Sequence, residues 1–287
     1  MKTFDCTTNL PAALDGGDYR LCRADGTEAV VRTSIQHEHR LSIVANGQLA
    51  FTLVCTPQHM AELALGRLFS EGFIAGIGDV ASLHSCQQGD VVKVRLVHDA
   101  PLRPAPAVAI STCNAAREAH LARSGHQQLA PLPAVPFRRR WVFQAAAAFS
   151  QDTPMHKRTR GAHSCFLVQE GRVLFACEDL GRHNAFDKAV GWGLRHGVDF
   201  SRCFAVTSGR VPTDMAAKAV NARIPVLLSA SVPTGAALQF AREKGLTLIG
   251  RIAADAVAVY HDPTNSMAQT APEFAAITTP VQQTACS

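Results

Sequence analysis

Cys113 is the residue of this sequence with the clearest capacity for sulfur chemistry. It lies in the stretch AISTCNAAREAH, between an apolar run typical of a strand and a run typical of a helix. A cysteine thiolate can accept and carry a sulfur atom as a persulfide. Sulfur-handling sites often place a second cysteine three positions later, and Ala116 stands there in this chain. Cys113 is therefore either a working thiol without that partner or an ordinary small residue at a turn.

Three other polar stretches follow predicted strands and lead into predicted helices: EDLGRHN (178–184), TSGR (207–210) and SASVPTGA (229–236). Ligands of open parallel α/β sheets bind beyond the carboxyl ends of the strands. The first N–H groups of a helix lack intrahelical partners and favour anions. The basic side chains available in these stretches are those of Arg182, His183, Lys188 and Arg210. The pattern indicates a ligand that carries phosphate, such as a nucleotide.

Each polar stretch also has a structural interpretation. Thr234 can simply cap a helix, because Pro233-Thr234 is a common helix opening. Asp187 and Lys188 can form a surface ion pair of little consequence. His163, in RGAHSCF, fits the core or a cap as well as it fits the same sheet edge. The GRHN run is the strongest indication of a functional role, since polar groups between a buried strand and a helix are costly unless they find partners.

Composition and missing motifs exclude several classes of protein. Apolar residues make up 47% of the 287 residues, and the net charge of +5 is too small for a nucleic-acid-binding profile. No run approaches the roughly 18 apolar residues that cross a membrane, and no signal peptide is predicted. The nine cysteines are scattered, without a CxxC pair, which favours the cytoplasm and no metal site. Neither GxGxxG nor GxxxxGK[ST] occurs, and the zinc deaminase motifs are incomplete.

Local patterns predict a first domain of mixed α+β structure at 26–130, after a flexible leader at 1–25. Residues 41–57 read as a hairpin around Asn46-Gly47. A helix should follow, with Thr56 as its cap and Gly72 at its end. DVVKVRLV alternates as a strand, and the proline-rich stretch 100–109 leads to Cys113.

The second domain is predicted at 131–263, with a flexible tail at 264–287. Two strands are expected around Glu170-Gly171, followed by helices that alternate with the strand-like runs CFAVTS, IPVLLSAS and LTLIGRI. Strands and helices that alternate in this way predict a largely parallel sheet with both faces covered.

The sequence from about Leu41 to Tyr260 resembles the formate dehydrogenase accessory sulfurtransferases of the FdhD/NarQ type. The residues that carry the resemblance are CTPQHMAELALGRLFSEGFI, GAHSCFLV, CEDLGRHNAFDKAVG, TSGR and IPVLLSASVPTGAALQFAREKGLTLIGR. The resemblance implies an α/β fold, with a cytidine-deaminase-like second domain that lacks zinc chemistry and a smaller mixed α+β domain before it.

The same resemblance implies a function and partners. Such proteins form homodimers and carry persulfide sulfur from a cysteine desulfurase to the molybdenum bis-guanine-dinucleotide cofactor (Mo-bisMGD) of formate dehydrogenase. They bind that cofactor as a ligand, and guanine nucleotides would mimic part of it. No tightly held metal, nucleic acid or membrane is implied. Residues carried over to the cofactor site are Glu178, Asp179, Gly181, Arg182, His183, Asn184, Asp187, Lys188, Ser208, Gly209, Arg210, Ser229, Pro233, Thr234 and His163.

The chain departs from the family pattern at the stretch around Cys113. The pattern there is a cysteine, two small residues, a second cysteine and a glycine, whereas this chain continues with Ala116 and Arg117. Three interpretations follow. Cys113 alone carries the persulfide, or the chain is a cofactor-binding chaperone without sulfur transfer, or Cys165 or Cys286 replaces the missing cysteine. A nucleotide-binding regulator without a molybdenum role is a further alternative.

Overall fold

A computed structural model describes the backbone of Thr3–Asp5 and residues 12–98 and 129–268. Cys113, Cys286 and the proline-rich stretch 100–109 lie outside the described residues. The helices are α1 Met60–Ser70, α2 Arg139–Ser150, α3 Pro154–Thr159, α4 Arg182–Arg195, α5 Thr213–Asn221 and α6 Gly235–Lys244. The strands are β1 Thr3–Asp5, β2 Leu14–Cys22, β3 Glu28–Gln36, β4 His39–Ala45, β5 Gln48–Cys55, β6 Val80–Ser85, β7 Val91–Leu96, β8 His163–Gln169, β9 Arg172–Asp179, β10 Cys203–Thr207, β11 Val226–Ser229, β12 Thr247–Gly250 and β13 Ala258–His261.

The first half of the chain contains a five-stranded sheet with the order β1-β6-β7-β4-β5. The predicted hairpin is confirmed: β4 and β5 pair antiparallel, and Asn46 and Gly47 turn with φ of 45° and 79°. The strands β2 and β3 form a separate antiparallel ribbon. Much of the predicted leader is thus strand β2, because Leu14–Cys22 pairs with β3 along its whole length.

Helix α1 ends where the sequence predicts but begins later. Gly72 has φ of 76°, its N–H donates to Phe69 O, and the N–H of Phe73 donates to Leu68 O. These two bonds form the Schellman motif that ends many helices. The prediction that Thr56 caps α1 is wrong, since the helix begins at Met60. The Thr56 hydroxyl instead accepts a hydrogen bond from the N–H of Leu180, 124 residues away.

The second half contains a six-stranded sheet with the order β13-β12-β11-β10-β8-β9. Only β10, β11 and β12 are parallel to one another, while β8, β9 and β13 pair antiparallel. The predicted largely parallel sheet is therefore a mixed sheet, because hairpins build both of its edges. One face packs against α1, α4, α5 and α6, and the other packs against α2. Both faces are covered, as predicted.

Helices α1 and α4 cross at unusually short range. A Cβ atom on Gly66 would lie 1.8 Å from the carbonyl oxygen of Asp187, and one on Gly191 would lie 1.8 Å from that of Glu62. Glycine is therefore required at both positions of the crossing. The close packing fixes α4, whose first turn carries the GRHN residues, against the helix of the first half.

Candidate functional site

The predicted site residues meet at one edge of the six-stranded sheet. Strand register places Thr207 beside both Ser229 and Cys165, and it places His163 beside Asp179. The carboxyl ends of β9, β10 and β11 therefore lie next to the first residue of β8. The stretches 178–184, 207–210 and 229–236 begin in the last residues of these strands and continue into the loops that follow. The convergence predicted from the sequence is present in the structure.

The accessible part of this edge is built around Ser208. Its hydroxyl lies 3.1 Å from His163 Nδ1 and accepts a hydrogen bond from the N–H of Ser164. Burial, and next the cations of Arg182 and His156, lower the pKa of His163 below its ordinary value of 6.5. The ring is therefore neutral at neutral pH, and the Ser208 hydroxyl can donate to Nδ1.

Three of the remaining residues form the rim of this edge. Arg210 and Thr234 are exposed, and the half-buried Pro233 joins their two loops through the bridge of its backbone to Val211. The Thr234 hydroxyl accepts from the N–H of Ala237, so the capping role is confirmed. Arg251, which follows β12 on the same edge, is exposed as well and was missed in the sequence. The sequence pattern includes Arg251 in the predicted strand LTLIGRI, so it did not indicate a loop residue there.

A second group of predicted residues is buried in the protein. Asp179 and Lys188 are fully buried, with their charged atoms 2.7 Å apart. Asp179 accepts from the N–H groups of Thr56 and Gly181 and from the amide of Asn184. Lys188 donates to the carbonyl oxygens of Thr56 and Glu178. Since a carboxylate has about four acceptor sites and an ammonium has three donors, both groups are saturated by the protein.

The surface pair suggested for Asp187 and Lys188 is wrong, because each has a different buried partner. Asp187 is fully buried, accepts from the Ser70 hydroxyl at 2.7 Å and binds the ammonium of Lys218. Arg67 of α1 lies 3.7 Å from the same carboxylate. This cluster joins α1, α4 and α5, so we interpret Asp187 as a support for the site rather than a ligand contact.

The other predicted residues also stabilise the loops. Both carboxylate oxygens of Glu178 accept N–H groups at the start of α3, from Met155 and His156. Ser229 is fully buried and donates to the carbonyl oxygen of Gly209 at 2.8 Å. His183 is buried, and its Nε2 lies 3.3 Å from Asp214 Oδ2. Sequence reasoning missed Asp214 and Lys218, since neither lies in a polar stretch.

The cysteines of the described residues differ sharply in exposure. Cys22 is exposed, whereas Cys165, Cys177 and Cys203 are buried in strands, as the sequence predicts for the last two. Burial raises the pKa of Cys177 and of Cys203 to about 12, and it raises that of Cys165 well above 9.0. A buried, protonated thiol is a poor nucleophile, which argues against Cys165 as the replacement for the missing cysteine.

The arrangement suits an anion more than any other ligand. Arg182, Arg210 and Arg251 supply positive charge, and the helices α4 and α6 begin at this edge. Within residues 12–98 and 129–268, no group of three His, Cys, Asp or Glu side chains is arranged to hold a metal ion. No helix in these ranges is long and apolar enough to span a bilayer.

Comparisons with known proteins agree with the resemblance read from the sequence. The profile of the FdhD/NarQ family matches residues 36–266. A sulfur carrier protein FdhD from Listeria innocua serovar 6a is 30% identical over 244 residues, which cover 82% of this chain and 92% of the relative. A sulfur carrier protein FdhD from Anaeromyxobacter dehalogenans is 33% identical over 255 residues, covering 80% and 87% of the two chains.

A solved structure shares the fold. It is the crystal structure of a protein assigned as a formate dehydrogenase accessory protein from Desulfotalea psychrophila. The two structures superpose with a TM-score of 0.73 at 22% identity, covering 88% of this chain and 98% of the other.

Proposed function

The chain belongs to the FdhD/NarQ family, and on this basis we propose that it is a sulfur carrier in the maturation of a formate dehydrogenase. The sulfur carrier names of its relatives support this general role. We further propose the donor and the acceptor that the resemblance implies. A cysteine desulfurase supplies persulfide sulfur to Cys113, and Mo-bisMGD of the dehydrogenase is the acceptor substrate.

The observation that supports cofactor binding concerns the Nε atom of Arg182. This atom is buried and has no hydrogen-bond partner among the described residues. A buried donor without a partner is costly, and a ligand oxygen bound at this edge would supply the acceptor. Arg210 and Arg251 are exposed on the same edge and add positive charge. A guanine dinucleotide carries the phosphate oxygens that a guanidinium binds best, so the residues present fit this substrate.

The proposed sulfur transfer needs only one cysteine on this protein. The Cys113 thiolate attacks the outer sulfur of the donor persulfide, the donor S–S bond breaks, and the donor cysteine leaves as a thiolate. A second cysteine at position 116 would provide a thiol to resolve Cys113 as a disulfide, but this step does not use it. Ala116 therefore leaves the acceptance of sulfur intact.

Mass spectrometry tests the sulfur-carrying part directly. The full-length protein is incubated with a cysteine desulfurase and cysteine, and its intact mass and peptide map are then measured. We expect a gain of one sulfur atom on the peptide that contains Cys113, and no gain in Cys113→Ser. A wild-type protein without an adduct, in the presence of a desulfurase shown to form its own persulfide, would contradict the proposal.

A cofactor-binding chaperone is the second candidate, and the incomplete CxxC motif favours it. The two functions differ in what Cys113→Ser does in a cell. A dehydrogenase that remains active with this variant, but not with Arg182→Ala, would identify the chaperone. Loss of activity with both variants supports the sulfur carrier.

Assembly and location complete the proposal. We propose a homodimer in the cytoplasm, as the resemblance implies. Sedimentation velocity of the full chain tests the first point, with a single species of twice the 30.7 kDa chain mass as the expected result. Cell fractionation tests the second.

A further inference from the structure

Gly209 occupies the point where the side chain of Arg182 crosses the loop after β10. A Cβ atom built on Gly209 would lie 2.8 Å from Arg182 Cδ and 3.1 Å from Arg182 Cβ. Gly209 is not one of the glycines with a positive φ, so its backbone conformation does not require glycine. The space taken by the stem of Arg182 does require it.

The backbone of Gly209 cannot shift freely to relieve such a contact. Its N–H donates to Thr207 Oγ1 at 3.2 Å, and its carbonyl oxygen accepts from Ser229 Oγ at 2.8 Å. Both partners are fully buried at the ends of neighbouring parallel strands. Any side chain at position 209 would therefore displace Arg182 rather than the loop.

Packing, and not hydrogen bonding, holds the Nε atom of Arg182 in place. Nε is buried and has no acceptor among the described residues. The guanidinium is close enough to His163 to lower the pKa of that ring. The stem of Arg182 thus packs against Gly209, and its guanidinium lies near the His163 imidazole.

We propose that Gly209 is the positioning residue for Arg182: it seats the stem of Arg182 so that Nε–H meets an anionic group of the bound ligand. This inference rests on the proposed function, since that ligand is the guanine nucleotide part of the cofactor. Gly209 itself contributes no side chain to the ligand. A phosphate oxygen would supply the acceptor that Nε lacks.

Calorimetric titration with GDP tests the inference on four proteins: wild type, Arg182→Ala, Gly209→Ala and the double variant. We expect each single variant to weaken GDP binding about tenfold or more, the scale of one charge-assisted hydrogen bond. The double variant should bind no more weakly than Arg182→Ala alone, because Gly209 acts only through Arg182. Gly76→Ala is the matched control, since it lies between α1 and β6, outside this edge, and its Cβ meets nothing within 4 Å.

The outcomes separate this inference from the cofactor site itself. Wild-type affinity in Gly209→Ala, or losses that add up in the double variant, would overturn the positioning role. Unchanged affinity in Arg182→Ala would contradict the assignment of the cofactor site. It would not contradict the packing of Arg182 against Gly209. That relationship is tested by thermal unfolding, where Gly209→Ala should lower Tm in the wild type and much less in the Arg182→Ala background. Equal shifts in both backgrounds would overturn it.

Arg182→Lys tests the donor without changing Gly209. Lysine keeps the charge and the stem, but a methylene group replaces the Nε–H. We expect this variant to lose most of the affinity that Arg182→Ala loses. Retention of wild-type affinity would show that charge alone matters, and it would overturn the role given to Nε.

Discussion

The Lys188 ammonium and the Asp179 carboxylate lie 2.7 Å apart, and neither side chain is exposed to solvent. The pair binds both backbone polar groups of Thr56: Lys188 donates to its carbonyl oxygen, and Asp179 accepts from its N–H. Thr56 precedes α1 in the first half of the chain. One ion pair of the second half therefore holds the junction that leads into α1.

Lys188→Met should destabilise the protein strongly. The change leaves Asp179 buried without its cation, and breaking a buried pair in this way costs about 3–5 kcal/mol. Urea denaturation measures the free energy of unfolding. Arg20→Met is the control, because Arg20 pairs with Glu28 on the surface and should cost about 1 kcal/mol or less. A Lys188→Met value as small as that of the control would contradict the prediction.

Gly66→Ala should also destabilise the protein, although alanine is the better helix former. Helix propensity favours alanine by about 1 kcal/mol, but the new Cβ would lie 1.8 Å from the carbonyl oxygen of Asp187. Because that oxygen belongs to the backbone of α4, the two helices must separate. Overpacking of this kind costs about 1–3 kcal/mol or more, so a net loss is expected. Gly76→Ala, at an extended position with open space, should leave the urea midpoint unchanged.

The sequence predicts well those features that depend on neighbouring residues. The Asn46-Gly47 turn, the end of α1 at Gly72 and the Thr234 cap each rest on local backbone preferences. The start of α1 was missed because Thr56 is engaged by Asp179 and Leu180, more than 120 residues away. No local pattern contains that information.

For the site residues, the sequence predicts where they lie but not what each of them does. Their convergence follows from where the strands end, which periodicity indicates. The role of each residue does not follow from the sequence, which predicts Lys188 and Arg182 equally as site residues. In the structure Lys188 is saturated, whereas the Nε of Arg182 lacks an acceptor among the described residues. Which polar group stays available to a ligand depends on tertiary partners such as Lys218, which lies outside every polar stretch.

Acid should destabilise the protein between pH 7 and pH 5, partly through His163. Burial, Arg182 and His156 lower its pKa in the folded state, with a smaller opposing effect of Asp179. The unfolded chain binds a proton near pH 6.5 while the folded state does not, so stability is lost as the pH falls through that value. His163→Gln should reduce the slope of the unfolding free energy by at most about 1.4 kcal/mol per pH unit.

The comparison between variants isolates His163, because His59, whose pKa burial also lowers, is present in the wild type and in each variant. His98→Gln, which changes an exposed histidine, is the matched control. The lowered pKa of Asp152 acts only below its ordinary value of 3.8, outside this range. A slope that His163→Gln does not alter would show that His163 takes up its proton equally in both states.

Thiol labelling should separate the proposed carrier from the buried cysteines. With a pKa of about 12, Cys177 is ionised to only about one part in ten thousand at pH 8. Iodoacetamide should therefore label Cys22 and spare Cys165, Cys177 and Cys203 in the folded protein, while guanidinium exposes all of them. Persulfide formed with a desulfurase should map to Cys113 and persist in Cys165→Ala. Loss of the adduct in Cys165→Ala would instead make Cys165 the sulfur carrier, despite its burial in β8.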